Sequence, residues 1–363
     1  MSDDLRVALL GYGLAGRVFH APLITATPGL RLAAVVTADP GRVAEVRADH
    51  PDVAVLADAA SVWDGADAYD IAVVATANAA HVPQTRAALG AGLHVVVDKP
   101  MAADAATAQD LVDAAGTAGR MLTVFQNRRW DSDLLTVRRL MAAGTFGEVH
   151  RLESRFERWR PEPKGGWRET GGPEDMPGLL YDLGAHLVDQ ALLLLGPVVS
   201  VTASARAVRQ PGGADDDTQL LLRHASGAVS LLFASAVAAL PEPRLRVLGT
   251  RAGYEVAGLD SQEDALRDGR SPAFPGWGEE PTDAWGRLVT ADGETRPVRS
   301  EPGDWPAFYA GVVAAVRDGA PPPVDPRDVV ADLRVLDAAR ESARTGATVV
   351  LDPPAAHVAA TTA

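Results

Sequence analysis

The residues Leu5-Arg6-Val7-Ala8-Leu9-Leu10-Gly11-Tyr12-Gly13-Leu14-Ala15-Gly16 decide how the rest of the chain is read. An apolar run this short, closed by glycine, predicts a strand buried on both faces of a parallel sheet. The Gly-x-Gly-x-x-Gly behind it, followed by a helical stretch, has the form of a strand-to-helix turn that takes a dinucleotide. In such a turn Gly11 permits the tight bend, Gly13 lets backbone approach a pyrophosphate, and Gly16 lets helix lie close on strand. The helix N-terminus adds N–H donors and the positive end of its dipole. Glycines also serve ordinary turns, so the motif gains its weight from standing after a strand and before a helix.

The same rhythm continues outward. Residues 6–10, 32–36, 53–56, 71–74, 94–97 and 122–125 are short apolar runs separated by stretches long enough for crossover helices, which predicts a doubly wound α/β domain over 1–127. The rhythm then changes, and 128–363 reads as a second, α+β domain. It opens with a helix over 132–143 and an alternating strand over 148–158. A Pro/Gly-rich loop over 161–178 leads to a helix over 179–195, ended by Gly196-Pro197. From 198 to 256 strand follows strand with turns at Pro211-Gly212-Gly213 and Ala225-Ser226-Gly227, which suggests an antiparallel sheet. Residues 258–286 read as irregular, 305–318 and 326–345 as helices, and 353–363 as a frayed end.

Composition narrows the chemistry. With 363 residues, 47% hydrophobic and 23% charged, the chain has the usage of an ordinary globular protein of about two domains. Its 34 basic and 48 acidic side chains give a net charge of −14, a poor basis for gripping nucleic acid or anionic lipid. The absence of cysteine excludes disulfides, thiolate metal sites and cysteine nucleophiles. The start lacks the pattern of a signal peptide and no apolar run approaches ~18 residues, so a cytoplasmic protein with no membrane partner is expected. Among the 34 basic residues only Lys99 and Lys164 are lysines. A lysine can release its proton near neutrality where its surroundings lower its pKa, and an arginine cannot, so each lysine invites a question.

Candidate site residues cluster at strand ends. The second strand of an NAD site should close on an acid roughly 20 residues past the glycines. Here it closes on neutral Thr37, and Arg42 follows, a pair that suits the 2′-phosphate of NADP; Asp39, turned inward, would instead suit NAD. The run 71–75 ends at Thr76-Ala77-Asn78-Ala79-Ala80-His81, and 94–97 ends at Asp98-Lys99-Pro100. Carboxyl ends of strands form the ligand crevice in open α/β sheets, and Pro100 disfavours helical geometry at Lys99. Lys99 also reads as a surface lysine at a loop start. Further on, Asp182, His186 and Asp189 fall on one face of the helix expected over 179–195, where a histidine flanked by carboxylates could take a hydroxyl proton. A buried, hydrogen-bonded structural histidine fits the same pattern. No convincing metal-ligand cluster accompanies them.

These motifs together resemble the Gfo/Idh/MocA oxidoreductases over nearly the whole chain. The resemblance rests on the glycine loop, on Asp98-Lys99-Pro100 in place of the commoner Glu-Lys-Pro, and on Asp182-x-x-x-His186. The strings Phe19-His20-Ala21-Pro22-Leu23, Asn127-Arg128-Arg129-Trp130-Asp131, Trp167-Arg168-Glu169 and Tyr181-Asp182-Leu183 are most similar to the branch containing NADP-dependent scyllo-inositol dehydrogenases. The resemblance implies a Rossmann domain followed by an open, mainly antiparallel sheet. It implies NADP, with NAD possible, as coenzyme, and a polyol or sugar as substrate. In residues, it implies that Lys99 hydrogen-bonds the reacting hydroxyl, His186 is the main acid/base, and Asp182 positions substrate or tunes the histidine. Gly11, Tyr12, Gly13, Leu14, Ala15 and Gly16 would hold the pyrophosphate, Thr76, Asn78 and His81 would line the nicotinamide-ribose side, and Asp98 and Lys99 would also touch the coenzyme. Asn127, Trp167 and Arg168 would close on the coenzyme. Arg128, Arg129 and Trp130 are also suited simply to tie the domains together. An open sheet should pair with another subunit, giving a homodimer or homotetramer. Two other functions stay open: a dinucleotide-binding sensor without turnover, and redox-assisted glycoside cleavage.

Overall fold

The computed structural model describes residues 4–352 except 164, 167, 168, 170, 172–174 and 241. Among them, β1 (Leu5–Leu10) lies between β2 (Leu30–Val36) and β4 (Ile71–Val74), with β3 (Ala54–Leu56) beyond β2 and β5 (His94–Val97) and β6 (Leu122–Val124) beyond β4. All pairings are parallel. Val7–Leu10 and Ile71–Val74 are wholly buried, as strands are when crossover helices cover both faces. Those helices are α1 (Ala21–Ala26), entered through a π-type turn at Ala15–His20, then α2 (Pro40–Asp49), α3 (Ala60–Asp64), α4 (His81–Gly90) and α5 (Ala105–Ala118). The order β3-β2-β1-β4-β5-β6 reverses direction between β1 and β4. The crevice at such a reversal, outside the strand carboxyl ends, is where ligands bind in this architecture.

The chain continues through α6 (Ser132–Ala142) into β7 (Val149–Glu157), the central strand of a second sheet. Two helices follow, α7 (Leu179–Asp182) and α8 (Gly184–Leu195), and then β8 (Val198–Arg206), β9 (Asp217–His224), β10 (Val229–Ser235), β11 (Leu245–Gly249) and β12 (Ala252–Val256). After α9 (Gln262–Arg267) come β13 (Gly286–Thr290), β14 (Thr295–Val298), α10 (Pro306–Asp318), α11 (Pro326–Thr345) and β15 (Val349–Val350). The sheet order is β14-β13-β12-β11-β7-β10-β9-β8-β15, antiparallel except where β7 pairs with β10. Helices α8 and α11 pack on the sheet, α8 over β7 and β10 and α11 over β8, and Leu152, Leu220, Leu222 and Leu232 are buried. Leu221, Leu231 and Phe233 on the other face are only partly covered. Helix α11 also packs on α5, and Ala105 N–H donates to Asp337 Oδ2 at 3.0 Å, so one helix holds both sheets in register.

Three local readings change. The helix expected over 179–195 is broken at Leu183, and the segment expected to be irregular over 258–286 contains α9. The hairpin β13–β14 adds an edge to the second sheet; its turn carries the signal Asp292-Gly293, but its strands are short and polar, so periodicity gives little warning. The end expected to fray, 353–363, lies outside the described residues.

Candidate active site

At the β1 turn each glycine answers to a different constraint. Gly11 has φ +95°, and a Cβ there would sit 2.6 Å from Ala75 O at the end of β4. A Cβ on Gly16 would fall 2.1 Å from Gly11 O, so the helical turn can lie on the strand only without one. Gly13 differs: nothing lies within 4 Å of the position a Cβ would take. The protein therefore does not need the missing side chain for its own packing. The open space suits a group that approaches the backbone, and the residues fit a dinucleotide pyrophosphate. Leu14 and Ala15 begin the turn that follows. Tyr12 offers only backbone, since its ring is buried and its hydroxyl donates to Asp49 Oδ2 at 3.2 Å.

Thr37 is buried at the end of β2, with its N–H on Leu56 O. Asp39 is not turned inward: its Oδ1 accepts the Arg42 N–H at 2.9 Å and caps α2, leaving the Arg42 side chain exposed on the first turn. Thr76 Oγ1 donates to Gln84 Oε1, and Asn78 Nδ2 donates to Asp175 O at 2.9 Å, stitching the β4 end to the loop before α7. His81 does not face open space. It is 1% exposed, with Nδ1 2.8 Å from Pro100 O and Nε2 3.2 Å from Thr76 O, so it clamps two strand-end loops together. Trp167 and Arg168 lie outside the described residues.

Lys99 precedes a cis peptide to Pro100. Its N–H donates to Asp98 Oδ1, and its Nζ donates to Asp182 O at 2.5 Å and Asp182 Oδ1 at 2.8 Å. The break in the helix makes the first of these possible. In an unbroken helix Asp182 C=O would accept from His186 N–H; instead that N–H turns to Leu183 O at 3.1 Å, and the freed carbonyl faces Lys99. Gly184 follows the break, and a Cβ there would be tight only against the Leu180 side chain at 3.3 Å. Behind Lys99, burial pushes the Asp98 carboxyl up, but His20, His81 and Lys99 outweigh it and hold the group below the usual carboxylate range. His20 Nδ1 lies 2.6 Å from the Tyr309 hydroxyl and its Nε2 3.9 Å from Asp98 Oδ2.

The expected carboxylate flanking of His186 is not what forms. The helix break sends Asp182 to Lys99, and Asp189 forms a buried ion pair with Arg129 at 2.6 Å. His186 Nδ1 instead meets Gln126 Oε1 at 3.0 Å. Its other neighbours are cationic: burial, followed by the charges of Lys99, Arg128 and Arg244, holds the imidazole well below its usual pKa. Both guanidinium groups pack on Phe156, at 4.9 Å and 4.1 Å from the ring centroid, with the ring 6.4 Å from that of His186. Arg244 is fixed by Ser154, Gln190 Oε1 and Asp133, and Arg128 by Asp131 and Glu263. Burial, against the pull of Arg128, raises the Asp131 carboxyl to about 6. Arg129, paired with Asp189 and Asp328, and Trp130, packed on Phe308, fasten the turn after β6 to α8, α11 and α10 of the second domain. Asn127 is buried in the turn after β6. Sequence reasoning missed Gln126 and Arg244. Gln126 follows a strand end by the same logic that selected Lys99, whereas Arg244 carries no local signal.

Known proteins resemble the chain over nearly its whole length. Residues 5–126 match an oxidoreductase family with an NAD-binding Rossmann fold, and residues 134–255 match the GFO/IDH/MocA C-terminal domain. The chain is 39% identical over 354 residues to uncharacterized oxidoreductase YdgJ of Escherichia coli K12, covering 97% of this chain and 100% of that protein. It is 33% identical over 353 residues to the scyllo-inositol 2-dehydrogenase (NADP(+)) IolW of Bacillus subtilis 168, covering 96% and 97%. The solved structure of oxidoreductase YvaA from Bacillus subtilis superposes with a TM-score of 0.92 at 33% identity, over 97% of this chain and 99% of that one.

Proposed function

The chain belongs to the Gfo/Idh/MocA family of oxidoreductases with an NAD-binding Rossmann domain, and from that premise we propose that it moves a hydride between NADP and a secondary alcohol or ketone of a polyol or sugar, scyllo-inositol and its ketone being the leading pair. The observation that carries the reading is the Lys99 ammonium held on Asp182 across the two halves of the molecule, beside a His186 kept neutral. A bound nicotinamide coenzyme supplies the two-electron acceptor or donor. The protein supplies proton handling and charge. In oxidation the hydroxyl proton passes to His186 Nε2 as the carbinol hydrogen leaves with its electron pair. Lys99 Nζ donates to the same oxygen and offsets its developing negative charge, and Asp182 orients the ammonium. Neutral Thr37 and the exposed Arg42 support NADP, and so does the likeness to IolW, an NADP(+) enzyme by name.

A panel of inositols and aldoses with NAD and with NADP, followed at the reduced-nicotinamide absorbance band, tests the reading. NADP reduction with at least one inositol is the expected result. Coenzyme binding without turnover on any member would favour a sensor, and a coenzyme that stays bound through glycoside cleavage would favour redox-assisted hydrolysis. The partly covered face carrying Leu221, Leu231 and Phe233 supports self-association. Sedimentation at micromolar concentration is expected to give a dimer or tetramer, and a monomer would reject this part.

A further inference from the structure

The reading above asks His186 to begin oxidation with an unprotonated nitrogen facing the substrate, and a neutral imidazole can do so in only one of its two tautomers. Which one forms depends on the partner of the other nitrogen. Gln126, 1% exposed at the end of β6, turns its Oε1 to His186 Nδ1 at 3.0 Å. In this orientation the carboxamide presents its oxygen, which can only accept, and Nδ1 then carries the proton. Nε2 makes no hydrogen bond among the described residues and is not sealed from solvent either. We infer that Gln126 is a positioning residue that locks His186 in the Nδ1–H tautomer, leaving Nε2 unprotonated at the cleft. The inference rests on the proposed role of His186.

The choice of a carboxamide has a chemical sense. A carboxylate in its place would accept the same proton but would also stabilise the imidazolium. Among the described residues the charged groups bearing on the ring from other elements push the opposite way: Lys99 from the end of β5, Arg128 from the turn after β6, and Arg244 ahead of β11. The nearby acids are engaged with those cations, Asp182 with Lys99, Asp131 with Arg128 and Asp133 with Arg244. Gln126 thus fixes orientation without adding charge, and the ring stays a base over a broad pH range.

The test is ¹⁵N NMR on the full-length protein with ¹⁵N-labelled histidine, with the His186 signals assigned by their loss in His186→Gln. The expected pattern is a protonated Nδ1 and an unprotonated Nε2. In Gln126→Met the tautomers should mix, and kcat should fall about tenfold or more with coenzyme affinity unchanged. In Gln126→Glu the Nδ1–H tautomer should persist while the acidic limb of the kcat profile moves up by about one pH unit or more. A wild-type spectrum with the proton on Nε2 overturns the inference without any variant, and so does an unchanged tautomer in a folded Gln126→Met. If the tautomer is as stated but no polyol or sugar is oxidised, the proposed function fails and the tautomer assignment stands.

Discussion

The two walls of the candidate cleft are built on different principles. The wall from the first sheet is mostly backbone and local: three glycines within six residues, a capped helix at Asp39, and Lys99 directly at a strand end. The wall carrying His186 is built from side chains drawn from far along the chain, with Gln126 60 residues away and Arg244 linked to Ser154 and Gln190 across 90 and 54 residues. Lys99 apart, the first wall shapes space for a ligand. The second sets the protonation state of one ring. Changes in the glycine turn and at the β2 end should therefore act on binding, and changes at Lys99 and around His186 on chemistry.

Removing the reacting groups should break the comparison most visibly. His186→Ala and Lys99→Ala are each expected to lower kcat by roughly 10²–10⁴, the span of a lost acid/base, while coenzyme affinity measured by fluorescence titration stays within a few fold. Loss of coenzyme binding in His186→Ala would mean that the two walls do not divide the work in this way. The opposite pattern is expected of Gly13→Ala. Its new methyl meets nothing in the protein, so the melting temperature should stay put while coenzyme Kd rises about tenfold or more. A drop in stability with normal binding would show that the space is needed by the fold and not by a ligand.

That division also explains what the sequence made legible. All six strands of the first sheet were readable because buried parallel strands are continuous apolar runs with glycine or loop punctuation, and the turn at Gly11–Gly16 announces itself within six residues. His186 and Lys99 were readable as residue types at plausible places. Their partners were not. A regular 3.6-residue period placed Asp182 beside His186, and only the helix break at Leu183 redirects Asp182 to Lys99. His81 misled for a related reason: a histidine after a strand end looks like a ligand contact until the Pro100 carbonyl is seen against it. Long-range partners of a buried ring leave no periodic trace.

A smaller effect sharpens the coenzyme side of the comparison. Thr37 lies at the end of β2, where a carboxylate would repel a 2′-phosphate and accept hydrogen bonds from a ribose diol. Thr37→Asp should move the ratio of kcat/KM values from NADP towards NAD by about tenfold, the equivalent of ~1.4 kcal/mol. Because Asp39 already caps α2, it is not placed to do this in the wild type. An unchanged ratio would remove the argument from Thr37.

The smallest expected effect is a matter of pH, and it separates the walls without any substrate. In the folded protein His186 is held well below its usual pKa, by burial first and then by Lys99, Arg128 and Arg244. In the unfolded chain it should titrate near ~6.5. Below that pH the unfolded state binds a proton that the native state refuses, so native stability falls as pH falls, by up to ~1.4 kcal/mol per pH unit, until the depressed folded pKa is reached. Above ~6.5 both states are neutral and the contribution is flat. His50, His94 and His224 are also held down by burial, so the acid sensitivity of the whole protein is shared among several rings. Comparing wild type with His186→Gln isolates one of them. Denaturant melts at pH 7.5, 6.5 and 5.5 should show the wild type losing about 1 kcal/mol more than the variant over the lowest interval. Parallel losses would mean that His186 takes up a proton in the fold, and the wall that is meant to keep it neutral would not be doing so.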